Sequence, residues 1–306
     1  MAIELPEQIA IDYLQDETWS TAGIRVGLLR LDTLHPLISG NKWFKLMENI
    51  RAAQCSGART LLTFGGAYSN HLLATAAAAQ ASGLSSVGIV RGQPDPETFS
   101  DTLKDCLDLG MDLVFVSRET YGLKSDPAYL ERLRQQYPQA WIIPEGGSNA
   151  EGRAGAGGIS RYLPQECTHV ALAIGTGTTF AGIRETLDPS VALIGFPAMK
   201  GGAYLEPELQ RLIPAAQHNW QLNTEYHFGG FARYTENLIT FMNVFYDRHR
   251  LALDFVYTAK MMYGIMAMIR EGAFPQGSCI VGIHTGGLQG NRSIAHLLRR
   301  GATGND

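Results

Sequence analysis

Short apolar, β-rich runs alternate along the chain with segments whose apolar positions recur at helical spacing. The runs are Thr60 to Phe64, Ser86 to Arg91, Leu113 to Ser117, Trp141 to Pro144, Val170 to Ile174, Val191 to Phe196 and Cys279 to Ile283. Between them, His71 to Ala81, Asp101 to Leu109, Tyr129 to Gln136 and Ala259 to Glu271 read as helices. Near-continuous apolar strands separated by helices imply crossover connections. They predict an α/β fold of open, mostly parallel, twisted sheets covered by helices on both faces. No period of repeat-protein length and no low-complexity segment interrupts this pattern.

The glycines add a second pattern. Gly65-Gly66, Gly146-Gly147, Gly175 with Gly177, and Gly286-Gly287 each follow directly on a strand-like run. Open parallel sheets bind ligands beyond the carboxyl ends of their strands, where backbone must come close. One such pair is an ordinary turn, but four together predict a single ligand cleft.

Composition narrows the class. At 306 residues the chain is long enough for one large or two modest α/β domains, and 45% hydrophobic with 18% charged residues is a globular balance. A net charge of −4 without a dense Lys/Arg run gives no footprint for nucleic acid. Cys55, Cys106, Cys167 and Cys279 form no C-x-x-C pair, which argues against zinc and for reduced thiols. The opening Met1 to Glu7 lacks the features of a signal peptide, and the apolar stretch near Leu72 to Ala81 is too short to span a bilayer, so a cytoplasmic protein with no membrane partner is expected.

Three loops carry candidate chemistry. Ile174-Gly175-Thr176-Gly177-Thr178-Thr179-Phe180 runs from a strand into a helix, and its amides, hydroxyls and helix dipole suit a phosphate ester. A P-loop would need Gly-Lys-Ser/Thr, and a dinucleotide fold a third glycine where Phe180 stands; neither is present, which disfavours a nicotinamide dehydrogenase. In Ser39-Gly40-Asn41-Lys42-Trp43-Phe44-Lys45, Lys42 reads in isolation as a solvated cap before an amphipathic helix. Beside a ligand cleft it becomes an amine that loses its proton readily, with Lys45 a surface residue. In Phe64-Gly65-Gly66-Ala67-Tyr68-Ser69-Asn70-His71, Ser69 is an N-cap or a substrate contact, and Asn70 and His71 are donors for a carboxylate or a cofactor ring, although a lone histidine at a helix start is more often structural.

Taken together, Gly40-Asn41-Lys42, Gly65-Gly66 with Ser69-Asn70-His71, Arg91-Gly92, Gly146-Gly147-Ser148, Gly175-Thr176-Gly177-Thr178, Val256-Tyr257-Thr258 and His284-Thr285-Gly286-Gly287 resemble the D-cysteine desulfhydrase and 1-aminocyclopropane-1-carboxylate deaminase family, in order from about Leu29 to about Leu288. The resemblance implies the tryptophan-synthase-β fold (fold type II) and pyridoxal 5'-phosphate as cofactor. It implies a large cofactor-binding domain from 1–45 and 153–306, a smaller α/β domain from 46–152, a small amino-acid substrate, and a homodimer. It makes Lys42 the Schiff-base lysine, Asn70 the residue beside the cofactor's phenolic oxygen, Ser69 a substrate contact, and Gly175, Thr176, Gly177, Thr178 and Thr179 the phosphate loop. Tyr257 becomes the tyrosine that faces substrate and assists proton transfer.

Two positions divide that family. The deaminase branch carries an acid after the active-site tyrosine and leucine before the last Gly-Gly; here Thr258 and Thr285 stand there, the pattern of the desulfhydrase branch. A carboxylate would hold a pyridine nitrogen protonated and strengthen the electron sink, which opening a cyclopropane demands and expelling a thiolate does not. Elimination from D-cysteine to pyruvate, sulfide and ammonia is therefore expected, ahead of a deaminase forming 2-oxobutyrate and ammonia or a non-catalytic ligand-binding protein. Two departures bear on the pocket: Phe231 stands where the family carries a tyrosine, and Leu288-Gln289-Gly290-Asn291-Arg292 replaces a small apolar continuation.

Overall fold

A computed structural model describes residues 5–92 and 95–304. Met1 to Glu4, part of the opening read above for a targeting signal, lies outside the described residues. Among the described residues there are ten strands: β1 (Ile11–Leu14), β2 (Arg25–Leu29), β3 (Thr60–Gly65), β4 (Ser85–Arg91), β5 (Met111–Val116), β6 (Ala140–Ile143), β7 (His169–Ile174), β8 (Ala192–Pro197), β9 (Trp220–Leu222) and β10 (Cys279–Ile283). The helices that matter below are α1 (Asn41–Cys55), α2 (Asn70–Ala81), α3 (Asp101–Asp108), α4 (Thr178–Thr186), α5 (Glu236–His249) and α6 (Thr258–Arg270).

The chain forms two compact units. The first holds Lys42–Gly155 with His35–Ile38; the second holds Pro6–Leu34, Ser39–Asn41 and the chain from Ala156 onward. The first unit contains a four-stranded sheet in the order β5-β4-β3-β6, parallel throughout. Strand β3, Thr-Leu-Leu-Thr-Phe-Gly, is buried along nearly its whole length, as a central strand covered on both faces must be. Ser69 caps α2 by accepting from the Leu72 amide, and the alanines that follow leave nine of its residues buried. Leu72, Leu73 and Ala76 of α2 pack with Leu103 and Cys106 of α3, while Leu62, Phe64, Val87 and Ile89 form a second cluster with Tyr121, Tyr129 and Leu133.

In the second unit the strand order is β1-β2-β10-β7-β8-β9, with β1 antiparallel at one edge and the other pairs parallel. Helix α6 lies so close to β8 that a Cβ on Gly264 would come within 2.4 Å of the Phe196 ring. Arg184, fully buried on α4, donates to the carbonyls of Leu187, Asp188, Val191 and Asn219 and so ties the end of α4 to the entries of β8 and β9.

The α/β class and its parallel sheets are as the periodicity implies. The sequence reading did not anticipate β1, β2, β9 or α5. Three of these strands are only three to five residues long, too short for a periodic signal. All four cysteines are free thiols. Among the described residues no helix is long and apolar enough to cross a membrane.

Candidate active site

In the second unit the threonine-rich turn follows β7 directly. Gly177 takes φ +81° as the residue before α4, a left-handed conformation that glycine adopts without cost. The turn thereby points the first amides of a nine-residue helix, together with its hydroxyls, outward. Thr176 is exposed and its hydroxyl lies 3.0 Å from that of Thr178; Thr178 and Thr179 are buried. Asn41 donates from Nδ2 to the Thr179 hydroxyl at 2.7 Å. The residue that follows Asn41 is Lys42.

Asn41 is held there by a backbone seam. Gly40 has φ +68°, its amide donates to the Leu31 carbonyl, and a Cβ on it would fall 1.8 Å from the Thr285 carbonyl oxygen. A Cβ on Gly286 would meet the Ser39 hydroxyl at 2.3 Å. Thr285 stands beside this seam, half-buried. His284 is fully buried: its Nε2 lies 2.8 Å from the Ala252 carbonyl, its Nδ1 accepts from the Gly286 amide at 3.2 Å, and the Asp32 carboxylate lies 3.6 Å from the same nitrogen.

Tyr257 precedes α6, and its ring covers Gly175, where a Cβ would lie 3.4 Å from the tyrosine oxygen. The phosphate-type turn and the candidate acid thus touch. Asp254, fully buried, fixes this segment by accepting from the amides of Val256, Tyr257 and Thr258 and from the Thr258 hydroxyl at 2.7 Å. Thr258 Oγ1 also accepts from the Asp254 amide at 2.8 Å, and the residue is fully buried. Sequence reasoning missed Asp254; the signal available was an aspartate four residues before a helix-starting threonine. Phe231 is exposed, with its ring edge-on to Tyr257 at 6.0 Å.

In the first unit, Lys42 is half-buried at the start of α1, and desolvation brings its amine from the ordinary lysine value of 10.5 down to about 8. Lys45 is not the surface residue the sequence suggests. It is 2% exposed, and its ammonium donates to the Gly146 carbonyl at 2.9 Å. The first turns of α1 are buried nearly all round, so a polar residue there does not mark a solvent face. Burial first, and the Lys42 charge second, push the Lys45 amine well below the usual lysine range.

Ser69 and Asn70 are half-buried at the start of α2. His71 is buried beneath them; a Cβ on Gly147 would lie 3.5 Å from its ring and 3.2 Å from the Lys45 side chain. Desolvation and then the charges of Lys42 and Lys45 hold His71 well below the ordinary histidine value, so its ring is neutral. The Pro144 carbonyl opposes this shift by favouring the charged ring.

Comparison with known proteins now bears on the site. The family model described as pyridoxal-phosphate dependent enzyme matches residues 20–286. The chain belongs to that family. Its curated relatives include a D-cysteine desulfhydrase of Salmonella paratyphi A, 30% identical over 285 residues that cover 85% of this chain and 86% of the relative. They also include a Pyrococcus horikoshii protein provisionally named a 1-aminocyclopropane-1-carboxylate deaminase, 28% identical over 302 residues that cover 94% of this chain and 91% of the relative. A solved ACC deaminase homologue superposes with a TM-score of 0.77 at 26% identity, covering 97% of this chain and 95% of its own. An O-acetylserine-dependent cystathionine β-synthase from Helicobacter pylori shares the fold alone, with a TM-score of 0.66 at 17% identity over 95% of each chain.

The residues present fit the cofactor of this family. The Gly175–Thr179 cradle offers hydroxyls and helix-start amides to a phosphate, and Asn41 ties to that cradle the residue preceding a desolvated lysine.

Proposed function

We propose that this pyridoxal-phosphate enzyme eliminates the thiol of a small D-amino acid, converting D-cysteine and water to pyruvate, sulfide and ammonia. The observation that carries the reading is the Asn41 to Thr179 hydrogen bond, which ties to a phosphate-type turn the residue that precedes a lysine of depressed pKa. Bound pyridoxal phosphate supplies an aldehyde that joins amines and a ring that withdraws electrons from the α-carbon.

The residues then divide the work. Gly175, Thr176, Gly177, Thr178 and Thr179 would bind the phosphate. Lys42 is the residue that would hold the cofactor, and its Nζ, when neutral, would accept the α-proton; an amine that titrates near 8 is part-neutral at physiological pH. Ser69 and the amides at the start of α2, a twelve-residue helix, hold the substrate carboxylate at the positive end of the helix dipole, with Asn70 beside the cofactor. Tyr257 exchanges a second proton with the substrate. Fixing the substrate by its carboxylate orients the bond at the α-carbon that breaks.

Elimination is favoured over ring opening because the acid nearest Tyr257, Asp254, is committed to three amides and one hydroxyl and is not free to hold a ring nitrogen protonated. Thr258 and Thr285 supply no charge in its place. The same reading extends to a cytoplasmic homodimer, supported by four free thiols and the family resemblance; light scattering of the purified protein tests the dimer.

Side-by-side turnover of D-cysteine, L-cysteine and 1-aminocyclopropane-1-carboxylate tests the activity. Sulfide and pyruvate from D-cysteine are expected, and Lys42→Ala should lose both turnover and the visible cofactor band. Formation of 2-oxobutyrate from the cyclopropane substrate without sulfide from D-cysteine would refute elimination.

A further inference from the structure

The segment from His227 to Tyr234 follows a costly path. Phe228, Gly229, Gly230 and Ala232 have φ of +48°, +92°, +108° and +52°, and two of these four are not glycine. Left-handed backbone at a phenylalanine and an alanine persists only where surroundings enforce it. The enforcement is visible. Lys260, 1% exposed on the first turn of α6, donates from Nζ to the Gly230 carbonyl at 2.7 Å, and the Arg233 amide donates to the same oxygen at 3.1 Å. On either side, Phe228 meets Tyr263 edge-on at 4.9 Å and Tyr234 meets Phe255 edge-on at 5.7 Å. What is left at the tip is Phe231, 51% exposed, with its ring against Tyr257.

A buried lysine is expensive, and a carbonyl is a modest partner for it. Asp254 favours the Lys260 charge from within the same unit, yet burial prevails and brings the amine to about 8. Such a group persists for what it holds in place. Here it joins the helix turn that follows Tyr257 to the loop whose tip touches Tyr257.

We propose that Lys260 is a positioning residue that, through the Gly230 carbonyl, holds Phe231 against Tyr257, so that the wall beside the tyrosine hydroxyl is apolar and selects a thiol over a hydroxyl on the substrate's β-carbon. This rests on Tyr257 facing substrate, as proposed above. A phenyl edge offers a β-hydroxyl no hydrogen bond, so a serine-type substrate entering there loses its water partners uncompensated, whereas a thiol, a weak donor and acceptor, loses little.

The test uses the full chain carrying its cofactor. In Lys260→Met, amide exchange at Gly230 and Arg233, followed by mass spectrometry without added substrate, should speed up about tenfold as the turn opens. Both Lys260→Met and Phe231→Ser, which puts a hydrogen-bonding group in place of the phenyl, should raise KM for D-cysteine about fivefold with a smaller change in kcat, and narrow its preference over D-serine, while the visible cofactor spectrum stays as in the parent. Unchanged exchange in Lys260→Met, a KM that rises there but not in Phe231→Ser, or an unchanged preference over D-serine in Phe231→Ser, overturns the proposal. Should Lys260→Met not fold, Lys260→Gln, a shorter donor, must exchange faster than the parent at the same amides, and equal exchange overturns it. The exchange result does not depend on which amino acid is turned over, so a wrong substrate assignment would leave it intact.

Discussion

Replacing Gly40 by alanine probes the seam on which the placement of Lys42 depends. Two costs can be separated. The φ of +68° is worth about 1–2 kcal/mol against an L-residue. The added methyl would also sit 1.8 Å from the Thr285 carbonyl oxygen, a backbone atom that cannot swing aside, and overpacking of this kind costs about 1–3 kcal/mol. The lower entropy of an unfolded alanine returns about 0.4–1 kcal/mol, so a net loss of about 1–4.6 kcal/mol is expected. Gly57→Ala is the control: its φ is +75° but nothing lies within 4 Å of the added carbon, so it should show the first cost alone. Urea unfolding of the cofactor-free proteins measures both, and titration with pyridoxal phosphate should show weaker binding for Gly40→Ala only, because only that change moves Asn41 from Thr179. Equal losses for the two variants, or a loss below about 0.5 kcal/mol for Gly40→Ala, would refute the close approach.

Other predictions address the charges. In cofactor-free protein, labelling of Lys42 by an amine reagent should reach its plateau just above pH 8 rather than above 10.5. Because the folded-state value is depressed, the penalty for burying the Lys42 charge is fully present below about pH 8 and is relieved as pH rises toward 10.5, so its contribution to stability improves across that window; Lys42→Met should flatten the rise in chemical denaturation. Removing the Lys42 charge in Lys42→Ala should also raise the pKa of His71, read by its imidazole NMR signals, with desolvation still holding it below the ordinary value. Asp254→Ala strands three amides and a hydroxyl at the start of α6 and should cost about 2–3 kcal/mol in urea unfolding.

How much of this was readable in the sequence depends on what each feature rests on. Strands β3, β4, β7, β8 and β10 are apolar because they are buried on both faces, and a run of buried residues is legible one residue at a time. The glycines at 40, 177 and 286 are legible as a group because a left-handed backbone, and at 40 and 286 a close approach as well, favours one residue type there. Lys45 was misread because the same helical spacing describes a half-buried helix and one buried all round, and only tertiary packing separates them. Asp254 and Lys260 escaped notice for a related reason: a buried charge is spelled like an exposed one, and its partners, the amides of the next helix turn and the Gly230 carbonyl, leave no residue-type signature.

The place of β10 has a consequence for biosynthesis. Among the described residues it is the last strand, yet it lies between β2 and β7, in register with both. A growing polypeptide therefore cannot complete this sheet in the order in which it leaves the ribosome: the first strands must wait, with an open edge, for a partner made some 250 residues later. The Thr285 and Gly286 side of the seam arrives just behind that strand. Chains stopped short of β10 should accordingly be insoluble rather than partly active.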